Sequence, residues 1–149
     1  LFVMLDGITD VRNIGAIART SLCCGAQVMI IPDKGIGAFN EEALKSSAGA
    51  LQKMMVCRVN SLLKAIDTLH MNGIAVYTSE MKTKTLLSDV DFIKPNCIVM
   101  GSGDKGVQPF LSKAADVKFT IPMKGSFDSF NVGVATGIIL FEASKQRMV

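Results

Sequence analysis

Polar and glycine residues crowd three short segments of this chain, and those segments carry the chemistry it offers. The segment IPMKGSFDSFNVGVATG, residues 121–137, holds Gly125, Ser126, Asp128, Ser129 and Asn131. That is more turn-forming chemistry than a strand-to-helix connection needs, although singly Ser129 and Asn131 read as caps of the following helix. LDGITDVRNIGAIARTS, residues 5–21, holds Asn13 and Arg19. Asn13 alone reads as a helix N-cap. Arg19 falls among Ile14, Gly15, Ala18 and Leu22, where a guanidinium either snorkels to solvent or meets an anion. CIVMGSGDKGVQPF, residues 97–110, contains Gly101-x-Gly103-x-x-Gly106 directly after an apolar run. Taken alone this matches a dinucleotide fingerprint. It lies far from the first strand, however, and Pro109 leaves little room for the helix that the fingerprint requires. Its useful content is backbone that can approach a ligand closely at Gly101.

The sequence has no Ser/His/Asp set, Walker loop or HExxH motif, and its single histidine, His70, falls in helical sequence. Chemistry here must come from positioning and polarisation rather than from a strong base.

These segments need a scaffold, and the apolar pattern supplies one. Short Val- and Ile-rich runs at 1–5, 28–31, 54–59, 74–77, 97–100 and 117–121 suit strands buried on both faces. Amphipathic stretches separate them. One starts near Asn13 and stops at Gly25, and one starts at Asn40 and carries Ala43, Leu44 and Ala48. A third is capped by Ser61 and stops at Gly73, and the last runs over 131–146. The alternation predicts an α/β fold: an open, mostly parallel sheet with helices on both faces. Ligands of such sheets sit outside the carboxyl ends of the strands, where the three polar segments fall.

At 149 residues, 49% of them hydrophobic, the chain suits one domain with an ample core. No apolar run reaches a membrane-spanning length. Cys23, Cys24, Cys57 and Cys97 show no CxxC spacing and are expected as buried free thiols of a reducing cytoplasm, with no metal. The net charge of +3 is compatible with a nucleic-acid partner without requiring one. Beginning on Leu1 in strand-like sequence, residues 1–149 read as one domain, a fragment of a longer protein or a protein trimmed to its ordered part.

Together NIGAIARTS, VMGSGDKGV and IPMKGSFDSFNVGVATGIILFEASKQR resemble the three motifs of the SpoU/TrmH family of the SPOUT superfamily, in order and spacing. The likeness covers nearly the whole chain. SSAGALQKMMVCRVNSLLKAI also looks like the subgroup that methylates a guanosine ribose of large-subunit ribosomal RNA. The resemblance implies an RNA 2′-O-ribose methyltransferase that uses S-adenosylmethionine, acts on rRNA or tRNA and works as a cytoplasmic homodimer. It further implies a C-terminal deep trefoil knot, an exception to the rule that chains do not knot. By position, Thr78, Gly101, Ile121, Met123 and Phe130 match residues that hold the cofactor, largely through backbone groups. Arg19, Asn13, Ser129 and Asn131 match the catalytic set. Members of the ribosomal subgroup often carry a small RNA-binding domain ahead of the catalytic one.

Three departures stand out. The family's motif-two glutamate is replaced by Gly103, with Asp104 one residue later. Phe130 stands where leucine is usual, and Gly133 where serine is usual. The missing acid motivates an alternative, a member that binds RNA or cofactor but transfers methyl groups poorly.

Overall fold

A computed structural model describes residues 1–37, 39–103 and 105–148. Its strands are β1 (Phe2–Asp6), β2 (Val28–Pro32), β3 (Met55–Val59), β4 (Ala75–Ser79), β5 (Thr85–Leu86), β6 (Asn96–Gly101) and β7 (Val117–Thr120). The helices are α1 (Val11–Cys23), α2 (Glu41–Ser46), α3 (Ala50–Lys53), α4 (Leu62–Met71), α5 (Pro109–Ala114) and α6 (Val132–Arg147). All seven strands form one sheet in the order β3-β2-β1-β6-β4-β7-β5, and every strand pair is parallel.

Alternation along each strand builds two cores. Val3, Leu5, Met29, Ile31, Ile98, Met100 and Phe119 point to the face covered by α1, α2, α3 and α6. Their neighbours Met4, Ile30, Cys97 and Val99 point to the other face, where α4 and α5 pack Leu62, Ile66, Leu69 and Leu111 against them. Each strand between two helical layers is apolar on both sides, which is why these strands read as continuous hydrophobic runs.

Several boundaries differ from the sequence expectation. Helix α1 starts at Val11 and its N-cap is Asp10, whose carboxylate accepts from the Arg12 backbone N–H at 2.9 Å. Asn13 therefore lies inside the first turn, because an acidic side chain three residues earlier already satisfies an orphan donor. Helix α2 is capped by Asn40 as expected but ends at Ser46. Ala48 turns to φ +52° and Gly49 to φ +86° before the short α3 begins. The two-residue β5 at the sheet edge was too short to leave a pattern, and Ile121 falls just outside β7. All four cysteines are free, but only Cys97 is buried; Cys23 and Cys57 are exposed. Burial pushes the Cys97 thiol up to about 12.

The last turn of α6 is stitched to the irregular segment 90–94 that leads into β6. The Gln146 side chain accepts from the Phe92 backbone N–H at 2.8 Å and donates to the Val90 carbonyl at 2.9 Å. Arg147 donates to the carbonyls of Phe92 and Lys94 at 2.8 and 3.1 Å. Among the described residues no helix is long and apolar enough to cross a membrane.

Candidate active site

The carboxyl ends of β1, β6, β4 and β7 stand side by side, at Asp6, Gly101, Ser79 and Thr120. From β1 the sheet runs on to β2 and β3 in one direction, and from β6 to β4, β7 and β5 in the other. A crevice is expected where a parallel sheet divides in this way. A cleft of about 330 Å³ opens there, walled by residues 79–82 at the end of β4, by 100–103 and 105–107 around the end of β6, and by Thr120, Ile121, Met123, Ser129, Phe130, Val132 and Ala135 between β7 and the first turn of α6. Its volume lies at the lower end of the range for small-molecule sites.

The β6 loop is built to fold on itself. The Gly106 N–H donates to the Ser102 carbonyl at 2.8 Å, and Gly106 adopts φ +70°. A Cβ on Gly101 would lie 2.2 Å from the Gly106 carbonyl carbon and 2.4 Å from the Val107 nitrogen. The close approach anticipated at Gly101 is therefore first an approach of the loop to itself. The far end of the loop is tied to β1. Buried Asp6 accepts from the backbone N–H of Gln108 at 2.7 Å and from its side-chain amide at 2.5 Å. Gly103, in contrast, has open space: a Cβ there would meet only the Phe130 carbonyl, at 3.9 Å. Asp104 lies outside the described residues.

Asn131 opens α6 and has two functions. Its Oδ1 accepts from the backbone N–H groups of Gly133 and Val134 at 2.8 and 3.3 Å, which caps the helix. Its Nδ2 donates to Asn13 Oδ1 at 3.3 Å, so the two asparagines, 118 positions apart, meet where α6 crosses α1. Small residues let those helices close. A Cβ on Gly133 would touch Ala16 Cβ at 3.6 Å and crowd Asn131 Oδ1 at 3.1 Å, and one on Gly137 would meet Thr20 at 3.7 Å.

Of the residues anticipated from sequence, Gly101, Ile121, Met123, Ser129 and Phe130 are brought together around the cleft. Asn13 and Asn131 pair beside it, where Asn131 sits between the lining residues Phe130 and Val132. Thr78 is placed differently. It is fully buried in the sheet, its backbone in register with Val99 and Lys118, one residue short of the wall. Arg19 is exposed on α1 and lines no part of this cleft. His70 lies in α4 with Nε2 2.8 Å from Asp116 Oδ2, and takes no part in the cleft.

Sequence reasoning missed Glu80, the one acidic residue lining the cleft among the described residues. Its Oε2 accepts from Thr78 Oγ1 at 2.5 Å and from Ser112 Oγ at 2.9 Å. Its position just past a strand end was the available signal. Lys82 and Lys105 add positive charge to the rim, while Met100, Ile121, Val132 and Ala135 supply apolar wall. No group of three or more His, Cys, Asp or Glu side chains is placed to hold a metal among the described residues.

Comparison with known proteins is consistent with this geometry. The model of the SpoU rRNA Methylase family matches residues 1–141. A 23S rRNA (guanosine-2′-O-)-methyltransferase RlmB of Pseudomonas aeruginosa is 33% identical over 147 residues, covering 99% of this chain and 59% of the relative. The SpoU methyltransferase AviRb of Streptomyces viridochromogenes, solved in complex with AdoMet, superimposes with a TM-score of 0.92 at 27% identity, covering 99% of this chain and 60% of that one. The TrmH/SpoU tRNA modifying enzyme of A. aeolicus superimposes with a TM-score of 0.87 at 29% identity, covering 98% of this chain and 74% of that one. The chain spans 38–60% of the length of the curated relatives it matches.

Proposed function

The chain belongs to the SpoU rRNA Methylase family, and from that premise we propose that it transfers a methyl group from S-adenosylmethionine to a ribose 2′-hydroxyl of rRNA or tRNA. The observation that carries this reading is the convergence of three loops, each following a strand, on one cleft. The residues present fit the cofactor. Apolar Ile121, Val132 and Ala135 suit an adenine, the glycine-rich turn exposes backbone amides, and polar side chains suit a ribose and an amino acid. Gly101, Ile121, Met123 and Phe130 would hold it. Thr78 would act from behind, through Glu80.

When bound, the cofactor supplies a methyl group on a sulfonium, already an excellent leaving group. The remaining work is alignment of a weakly nucleophilic hydroxyl and loss of its proton. Asn131, fixed by its cap bonds and by Asn13, presents a rigid amide beside the cleft. Ser129 adds a hydroxyl to the wall. Arg19 is too basic to be a comfortable proton acceptor; it suits a backbone phosphate or charge developing on the ribose oxygen.

The proposal includes a homodimer in which Arg19 of one subunit serves the cleft of the other, because Arg19 is absent from its own. Support comes from α6, which is apolar on both sides. Ile139, Leu140 and Ala143 are buried, yet Val134 and Phe141 are 53% and 63% exposed. It also includes the C-terminal trefoil knot. Strand β7 lies beyond β4 while α6 packs on α1, an arrangement that suits a C-terminal segment returning over the carboxyl ends of β4 and β6. A cytoplasmic location and an RNA-binding domain ahead of residue 1 complete the reading.

Gly103, where the family carries glutamate, favours a second reading: a cofactor- or RNA-binding member with weak transfer. Calorimetric titration tests the step the methyltransferase reading requires first, and methyl transfer to RNA by a chain that binds the cofactor separates it from the second. Saturable binding of S-adenosylmethionine and S-adenosylhomocysteine, with none of NAD, is expected. A folded chain that binds neither would overturn the methyltransferase reading.

A further inference from the structure

We propose that Glu80 binds the ribose diol of the cofactor's adenosine; this deepens the methyltransferase reading and rests on it. Three observations lead there. First, Glu80 is the one carboxylate lining the cleft among the described residues, and none of their cations lies within ion-pair distance of it. A half-buried acid with no cation needs strong donors.

Second, it is held in place. Thr78 Oγ1 and Ser112 Oγ both donate to Oε2, and the Glu80 backbone N–H donates to the Phe119 carbonyl at 2.8 Å. These bonds come from β4, α5 and β7, so the side chain is fixed from three elements. Oε1 has no partner among the described residues and remains available to the cleft.

Third, its place in the sheet matches the chemistry. Glu80 follows the tip of β4, and β4 pairs in parallel with β6, the strand that ends in the glycine loop. A glycine turn on one parallel strand and an acid at the tip of its neighbour is the arrangement by which nucleotide-binding sheets grip an adenosine: backbone approaches on one side, and a carboxylate accepts the ribose hydroxyls on the other. Two vicinal hydroxyls are neutral donors, so the contact requires no second charge.

The test uses 5′-methylthioadenosine, which keeps the adenosine and lacks the sulfonium, amine and carboxylate, together with its 2′-deoxy and 3′-deoxy counterparts. By calorimetry the unaltered chain is expected to prefer the diol at least about tenfold, the effect of a hydrogen bond to a charged group. Glu80→Ala should abolish that preference, and Glu80→Gln should keep part of it, since its amide oxygen still accepts. Melting temperatures report whether either variant is folded. Weaker binding of S-adenosylmethionine and S-adenosylhomocysteine with 5′-methylthioadenosine unaffected would overturn the proposal, because the carboxylate would then pair with the amine. Parallel weakening of diol and deoxy ligands would overturn it too, reducing Glu80 to a brace for Ser112. An unaltered chain that binds none of these ligands would instead sink the methyltransferase reading beneath it.

Discussion

Gly101 and Gly103, two positions apart, illustrate how a single Cβ separates architecture from chemistry. A Cβ on Gly101 has no room, since Gly106 and Val107 occupy its place. Gly101→Ala should therefore push Gly106 and Val107 off the end of β6 and weaken cofactor binding at least about tenfold, as a displaced wall loses its contacts. Gly103→Glu should leave the melting temperature nearly unchanged, within about 0.5 kcal/mol of stability, because its Cβ faces open space. Methyl transfer that appears only in Gly103→Glu would identify the missing acid as the defect; equal transfer in both forms would show that the cleft manages without it. At this scale the sequence was informative where residue type and place together point to a backbone role. Gly101 and Asn131 could be singled out by type and place. Glu80 could not, because an isolated acid after a strand looks like a solvated loop residue until Thr78 and Ser112 are seen to hold it. Thr78 lies one position from the wall, and its hydroxyl donates to Glu80.

Elements are positioned by contacts that no local pattern encodes. Gly15 looks like a minor loss of propensity within α1, yet a Cβ there would lie 2.2 Å from Ser46 Oγ, 2.6 Å from the Ala43 carbonyl and 2.8 Å from the Ser47 nitrogen. Most of these are backbone and cannot swing aside. Gly15→Ala is thus expected to cost about 1–3 kcal/mol despite its better helix propensity, as overpacking does. Chemical denaturation would read the loss, and a neutral or stabilising result would mean that α2 slides freely on α1. The long strands and α4 were legible because burial on both faces, or a Ser cap and a closing Gly, writes a strong period. The start of α1 was not, because Asp10 and Asn13 are both good caps and only the structure shows which one takes the first-turn N–H. The break at Ala48 was hidden for a related reason: alanine is a helix former, and its positive φ is imposed by the turn into α3.

For the whole molecule, the question is whether one chain contains a complete site. Arg19 is outside its own cleft, and α6 presents Val134 and Phe141 to solvent in the isolated chain. Closed two-fold pairing through α6 would bury that surface and bring each Arg19 towards the opposite cleft. Phe141→Asp is accordingly expected to yield folded monomers by sedimentation, with methyl transfer lost. A second experiment isolates the sharing itself. Arg19→Ala keeps an intact cleft without its arginine, while Gly101→Ala keeps the arginine beside a damaged cleft. With the cofactor held well below the concentration that the Gly101→Ala cleft needs, each variant alone should be nearly inactive. On random reassociation, about half of the dimers are mixed and each has one complete site if arginine and cleft come from different subunits, so activity should recover to about a quarter of the unaltered level. If Arg19 serves its own cleft, neither half of a mixed dimer is whole and mixing restores nothing. Recovery that disappears when Phe141→Asp is added to both variants would tie the shared site to the α6 face.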